Sequence, residues 1–192
     1  CYLTQEYEQG NENYQQALQH IDSLEEFTEL TKIQIMSLIA QNNMSEAFEL
    51  GVSTLEKLGV VLPPSEDIGQ NYLGIEKYYN DKPIELLTEL PEIRDQKAVI
   101  SLEILNTIQT PAYLISPNAF MCVAYASLEL FFTKGASSGS SKVLVTHALL
   151  LCGAFNKFQE GELFAQLASA INDKYPSPYT QTETEVTKHV SV

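Results

Sequence analysis

Two stretches of this chain, residues 39–58 (IAQNNMSEAFELGVSTLEKL) and 152–171 (CGAFNKFQEGELFAQLASAI), carry the same local pattern more than a hundred residues apart. In each, an apolar helix end meets a short polar turn, Asn42-Asn43 or Asn156-Lys157. A large apolar residue follows (Met44, Phe158), then a polar-acidic pair (Ser45-Glu46, Gln159-Glu160) and a small residue (Ala47, Gly161). The small residue lets a second helix pack closely on the first, so the unit reads as a helix-turn-helix hairpin. A weaker third copy lies at Asn13-Tyr14-Gln15-Gln16-Ala17.

Hairpins that recur along a chain build helical solenoids, because each pair buries its apolar face on the next. The expected fold is therefore all-α: a right-handed stack of antiparallel helix pairs, a tetratricopeptide-like α-solenoid spanning residues 1–175 as one domain. Residues 176–192 read as a polar tail, disordered or a linker. Such solenoids bind or position other proteins.

Apolar residues at three- and four-residue steps place the helices. A helix is expected to end at Gly10-Asn11, with others over 13–24 and 28–41. Ser45 reads as the N-cap of a helix that Gly59 closes. Residues 65–79 are expected to form a helix, followed by a short one ending at Pro91. Residues 95–109 form a strong helix with Val99, Leu102, Leu105 and Ile108 on its apolar face. Ser116-Pro117 starts the next, a hydroxyl cap followed by proline at the first helical position. It runs to about Lys134, and helices over 142–155 and 159–175 complete the last hairpin.

Charge narrows the partners. Eleven Lys and Arg stand against 25 Asp and Glu, a net charge of −14. Phosphate backbones and anionic bilayers need basic surfaces, so the expectation is no nucleic acid and no membrane. The acidity is concentrated in residues 1–58, where ten acids face only Lys32 and Lys57, and it reads as a solvated face. Two apolar runs, 111–133 and 143–155, resemble membrane spans. The first is interrupted by Pro117 and Glu129 and the second is too short, so both read as buried helices.

Cys1, Cys122 and Cys152 have no metal-ligand spacing, and so sparse a set suits a reducing cytoplasm. The chain opens on Cys1, as a processed lipoprotein does, but a fragment of a longer polypeptide is the favoured reading.

Motifs for catalysis fall short of their spacing. Residues 135–142 (GASSGSSK) have the composition of a phosphate-binding loop, but three residues separate the glycines and Lys142 stands three places beyond Gly139. The stretch reads as a flexible helix–helix loop. His20, His147 and His189 are isolated from one another and from any zinc or di-iron pattern. No catalytic residue, cofactor or metal site is assigned. Tyr78, Tyr79 and Tyr113 are the candidate partner-contact aromatics, since aromatic anchors dominate interface energetics.

The succession over 32–60, 83–93, 110–120 and 150–171 resembles one region of large bacterial and cyanobacterial multidomain sensor kinases. The residues that carry the resemblance are Leu58-Gly59-Val60, the segment 85–92 (ELLTELPE), Pro111-Ala112-Tyr113 and Cys152-Gly153. In that family a serine/threonine kinase domain and an AAA-type ATPase domain precede the helical region, and GAF and histidine-kinase domains follow it. The resemblance implies a non-catalytic interaction or regulatory segment that couples an ATPase or kinase module to downstream sensor domains. It implies protein partners and a cytoplasmic location, and it carries over no catalytic position. The rival readings are a free-standing helical-repeat adaptor or lipoprotein, and a helical bundle that binds a small ligand or acts as an enzyme.

Overall fold

The computed structural model describes residues 7–80 and 83–176, the side chain of Glu85 excepted. Among the described residues there are eight α-helices and no strand. Their bounds are α1 Tyr7–Leu18, α2 Leu24–Ala40, α3 Met44–Leu58, α4 Ile68–Glu76, α5 Gln96–Ile115, α6 Pro117–Lys134, α7 Ser140–Gly153 and α8 Phe158–Lys174. Two 3-10 segments, Ser65–Asp67 and Ile84–Glu89, flank α4.

The two hairpins share one backbone solution. Asn42 (φ 61°) and Asn156 (φ 55°) are the two non-glycine residues at positive φ among those described. Asparagine tolerates the left-handed region, which reverses the chain within two residues. Asn43 N–H then donates to Leu38 O and Lys157 N–H to Leu151 O, closing each turn. The small residues do what the pattern requires. Ala47 is fully buried, and a Cβ on Gly161 would collide with Cys152 Sγ and stand 3.1 Å from the Ala148 carbonyl oxygen. Gly51 plays the same part between pairs, where a Cβ would strike Ile108 of α5.

Consecutive helices pack in pairs: α2 on α3, α5 on α6, α7 on α8. The pairs join through α3 on α5 and α6 on α7, while α2 touches α5 and α5 touches α7. The core follows α5, whose Leu102, Ile104, Leu105 and Ile108 are almost wholly inaccessible. By length and composition α5 could cross a bilayer, yet 56% of its apolar window is buried among the other helices. Residues 60–95 leave the pairing: α4 lies on α6, and the segment Ile84–Glu89 lies on α8.

Several boundaries differ from expectation, each for an identifiable reason. Helix α1 runs through Gly10-Asn11 instead of ending there, and Asn11 Oδ1 accepts from Gln34 Nε2 at 2.7 Å, fastening that turn to α2. It stops at Leu18, six residues short of the expected end, because Ser23 opens α2 by accepting from Glu26 N–H. Ser45 is not the cap of α3. Asn43 is, without a side-chain bond, since the helix resumes directly after the Asn42 reversal. Helix α5 passes through Pro111 and ends only at Ser116 (φ −165°, ψ 152°). Pro117 accounts for that end, as proline disfavours helical geometry in the residue before it. Ser116 then caps α6 by accepting from Ala119 N–H, as expected. Gly59, at φ 87°, closes α3 as expected.

The stretch after α6 is tied down and not a free loop. Ala136 is fully buried; it donates to Pro91 O at 2.8 Å and accepts from Ile93 N–H at 2.9 Å. Gly135, at φ 112°, turns the chain into this bridge, and a Cβ there would meet the Pro91 carbonyl. Asn106 Nδ2 holds the Gly139 carbonyl at 3.1 Å. The expected tail lies outside the described residues beyond Pro176.

Candidate functional site

The largest concavity is an open groove of about 860 Å³ between the C-terminal end of α5, the N-terminal end of α6 and one face of α7. Helix α5 supplies Gln109, Thr110 and Tyr113; α6 supplies Pro117, Phe120 and Met121. Helix α7 supplies Lys142, Val145, Thr146, Leu149, Leu150, Gly153 and Ala154, residues that recur at the three- and four-residue steps of one helix face. The Ser116-Pro117 break makes the groove possible. It turns the chain sharply between α5 and α6, so their adjoining ends diverge enough to leave space in front of α7.

The groove is apolar with a few placed polar groups, the usual make-up of a binding concavity. Gln109, 5% exposed, accepts from Thr146 Oγ1 at 3.1 Å across the α5–α7 seam. Its Nε2 has no hydrogen-bond partner among the described residues. An unsatisfied buried donor costs about 1–3 kcal/mol, so an acceptor brought to it would be favoured. Lys142, half-buried one turn before Thr146 on α7, is the one lining residue with a formal charge. At the rim, Tyr113 is 66% exposed with its ring edge-on to Phe120, centroids 5.5 Å apart. Leu149 is 40% exposed opposite, and Leu114 and Ile115 extend the apolar surface beyond the groove.

The three candidate tyrosines separate. Tyr113 stands at this groove. Tyr79 is buried in the core, its hydroxyl 3.3 Å from His147 Nε2 and its ring edge-on to Phe164. Tyr78 is half-buried and stacks on Phe132 at 5.1 Å, lining a different, smaller cleft beside Glu129. His147 and Glu129 therefore do not converge on one pocket. Burial pushes the His147 imidazole down to about 3, which keeps it neutral. Cys122 is buried and Cys152 half-buried against Gly161, both as free thiols. Among the described residues, no three His, Cys, Asp or Glu side chains gather as a metal site would require.

A charged cluster fixes the far side of the molecule. Lys157 Nζ lies 2.6 Å from Glu76 Oε1, 3.2 Å from Glu160 Oε1 and 5.2 Å from the Tyr72 ring centroid. Tyr72 Oη also donates to Glu76 at 3.0 Å. The Lys157 hydrogen bond holds the Glu76 carboxyl below its ordinary range, and the Glu76 bond raises Lys157. This cluster joins α4 to the α7–α8 turn and is a structural clasp.

Sequence reasoning placed Tyr113 but missed the residues opposite it. Lys142 was weighed only as a phosphate-loop lysine, although Ser140 and Ser141 are buried in the first turn of α7 and leave no cradle. The available signal was polar residues inside apolar helical runs: Gln109 directly after Ile108, and Thr146 within 143–155. Comparison with protein-family models, curated proteins and solved structures found no match to this chain.

Proposed function

We propose that this chain is a non-catalytic helical-repeat segment that acts by contact, with the α5–α6–α7 groove as its partner surface. It belongs, in this reading, to a multidomain signalling kinase of the kind the sequence resembles, where it couples an ATPase or kinase module to downstream sensor and histidine-kinase domains. The observation that carries the contact reading is the groove itself, apolar along its length and rimmed by exposed Tyr113 and Leu149. Exposed apolar surface of this kind marks a site that another molecule covers. The order of helix contacts supports the repeat reading, because first members of successive pairs touch as they do in a right-handed stack of hairpins. The partner is protein, either a neighbouring domain of the same polypeptide or a signalling protein.

Two measurements test this. The coding sequence on either side of the chain is expected to hold kinase or ATPase motifs; an uninterrupted frame without them removes the kinase context. A photoreactive amino acid at Tyr113, in the chain as its own cells express it, is expected to crosslink to a polypeptide segment that mass spectrometry can map. Crosslinks to solvent or small metabolites alone would remove the protein-contact reading.

A further inference from the structure

We propose that the partner segment seated in the α5–α6–α7 groove is an amphipathic helix carrying a carboxylate beside its apolar stripe, an inference that rests on the protein-contact reading of the groove. The shape of the site favours a helix. Three helices wall an open trough, and Tyr113, Leu149, Leu114 and Ile115 continue the apolar surface past its rim. A small molecule lying in the trough leaves that rim wet, whereas a helix laid along it covers both with residues at three- and four-residue steps.

The carboxylate follows from the polar groups. Every charge and every unfilled hydrogen-bond position of the lining calls for an acceptor: Lys142 is its one formal charge, and Gln109 Nε2 is a donor without a partner. Thr146, bonded to Gln109 and one turn from Lys142, places these two donors along the same seam. A helix with an Asp or Glu flanking its apolar stripe satisfies this arrangement, while a Lys or Arg there meets the Lys142 charge. The chain's net charge of −14 does not reverse the preference. Exposed charges beyond about 8 Å are largely screened at physiological salt, and no acidic residue lines the groove.

The test is selection of binders from a displayed library of helical peptides. Each has apolar residues at i, i+3, i+4 and i+7 and random residues elsewhere, and Leu149→Arg protein serves as counter-target. Asp or Glu is expected to be enriched at one flanking position. A selected peptide should weaken about tenfold when that residue becomes Gln, the loss of one charge-assisted hydrogen bond. Lys142→Met should erase the acid preference and Lys142→Arg should keep it, each with an unchanged melting temperature. Groove-dependent peptides without acid enrichment, or with basic enrichment, would overturn the carboxylate inference and leave the contact reading standing. If no peptide discriminates the wild type from Leu149→Arg, both fall.

Discussion

Tyr79 Oη stands 3.3 Å from His147 Nε2, joining the segment after α4 to the middle of α7 inside the apolar core. His147 is wholly buried, its ring edge-on to Phe164 at 4.6 Å, and its Nδ1 has no partner among the described residues. The pair thus holds one hydrogen bond where a solvated imidazole would have two.

This arrangement makes stability depend on pH. An unfolded histidine titrates near 6.5, whereas burial depresses the folded value to about 3. Between those values the unfolded chain binds the extra proton. Stability is therefore full above about pH 6.5 and falls as pH drops, at up to about 1.4 kcal/mol per pH unit for one proton. His147→Gln removes the titration, so urea midpoints between pH 7 and 5 should flatten in that variant while its pH 7 stability drops from lost packing. A slope equal to wild type would place the acid sensitivity elsewhere.

Gly161→Leu should destabilise the chain by about 1–3 kcal/mol, because the added side chain has nowhere to go between α7 and α8. One obstacle, Cys152 Sγ, is a side chain; another, the Ala148 carbonyl at 3.1 Å, is backbone that cannot step aside. Adding Cys152→Ala should recover only part of the loss. Denaturation of the single and double variants measures both, and an unaltered Gly161→Leu midpoint would mean that the two helices do not approach here.

Lys157→Met should cost about 1–2 kcal/mol, more than a solvent-exposed ion pair, because Glu76 is only 15% exposed at the side chain and would lose its cation. The Glu76 carboxyl is depressed in the folded state, so the clasp's contribution is present above the ordinary carboxylate range and is lost as acid protonates Glu76. The deficit of Lys157→Met relative to wild type should accordingly narrow below about pH 4. A deficit that stays constant down to pH 3 would show that Lys157 acts through packing on Tyr72 alone.

Hydrogen exchange should be fastest in α1. That helix packs on α2 alone and buries only Tyr14, whereas α5 has neighbours on several sides and ten buried residues. Amides of residues 14–18 are expected to exchange orders of magnitude faster than those of 102–108, whose opening tracks global unfolding. Equal protection would show that α1 is an integral part of the core.

The hairpins were legible because their signal is local. Apolar spacing, an Asn at the reversal and a small residue four places into the next helix all fall within twenty residues. The errors came where distant contacts overrule local preference. Gly10-Asn11 looks like a stop until Gln34 reaches it from α2, and Pro111 looks like an end unless Pro117 is known to set the real one. Residues 135–139 look flexible until Pro91 and Ile93 bond to Ala136. The groove was the least legible feature. Gln109 and Thr146 stand 37 positions apart, and only the packing of α5 on α7 makes them neighbours.

The ties made by the segment between α4 and α5 have a mechanical consequence. Lys174, at the end of α8, donates to Thr88 O at 2.9 Å; Lys157, before α8, grips Glu76; Ala136, before α7, is bonded to Pro91 and Ile93. All three connections return to residues 76–93. A pull on the end of α8 is therefore delivered first to the middle of the chain, in shear across short hydrogen bonds, before any helix pair is peeled from the next. The molecule is braced like a truss with a tie rod, and under load residues 76–93 should yield before the hairpins do.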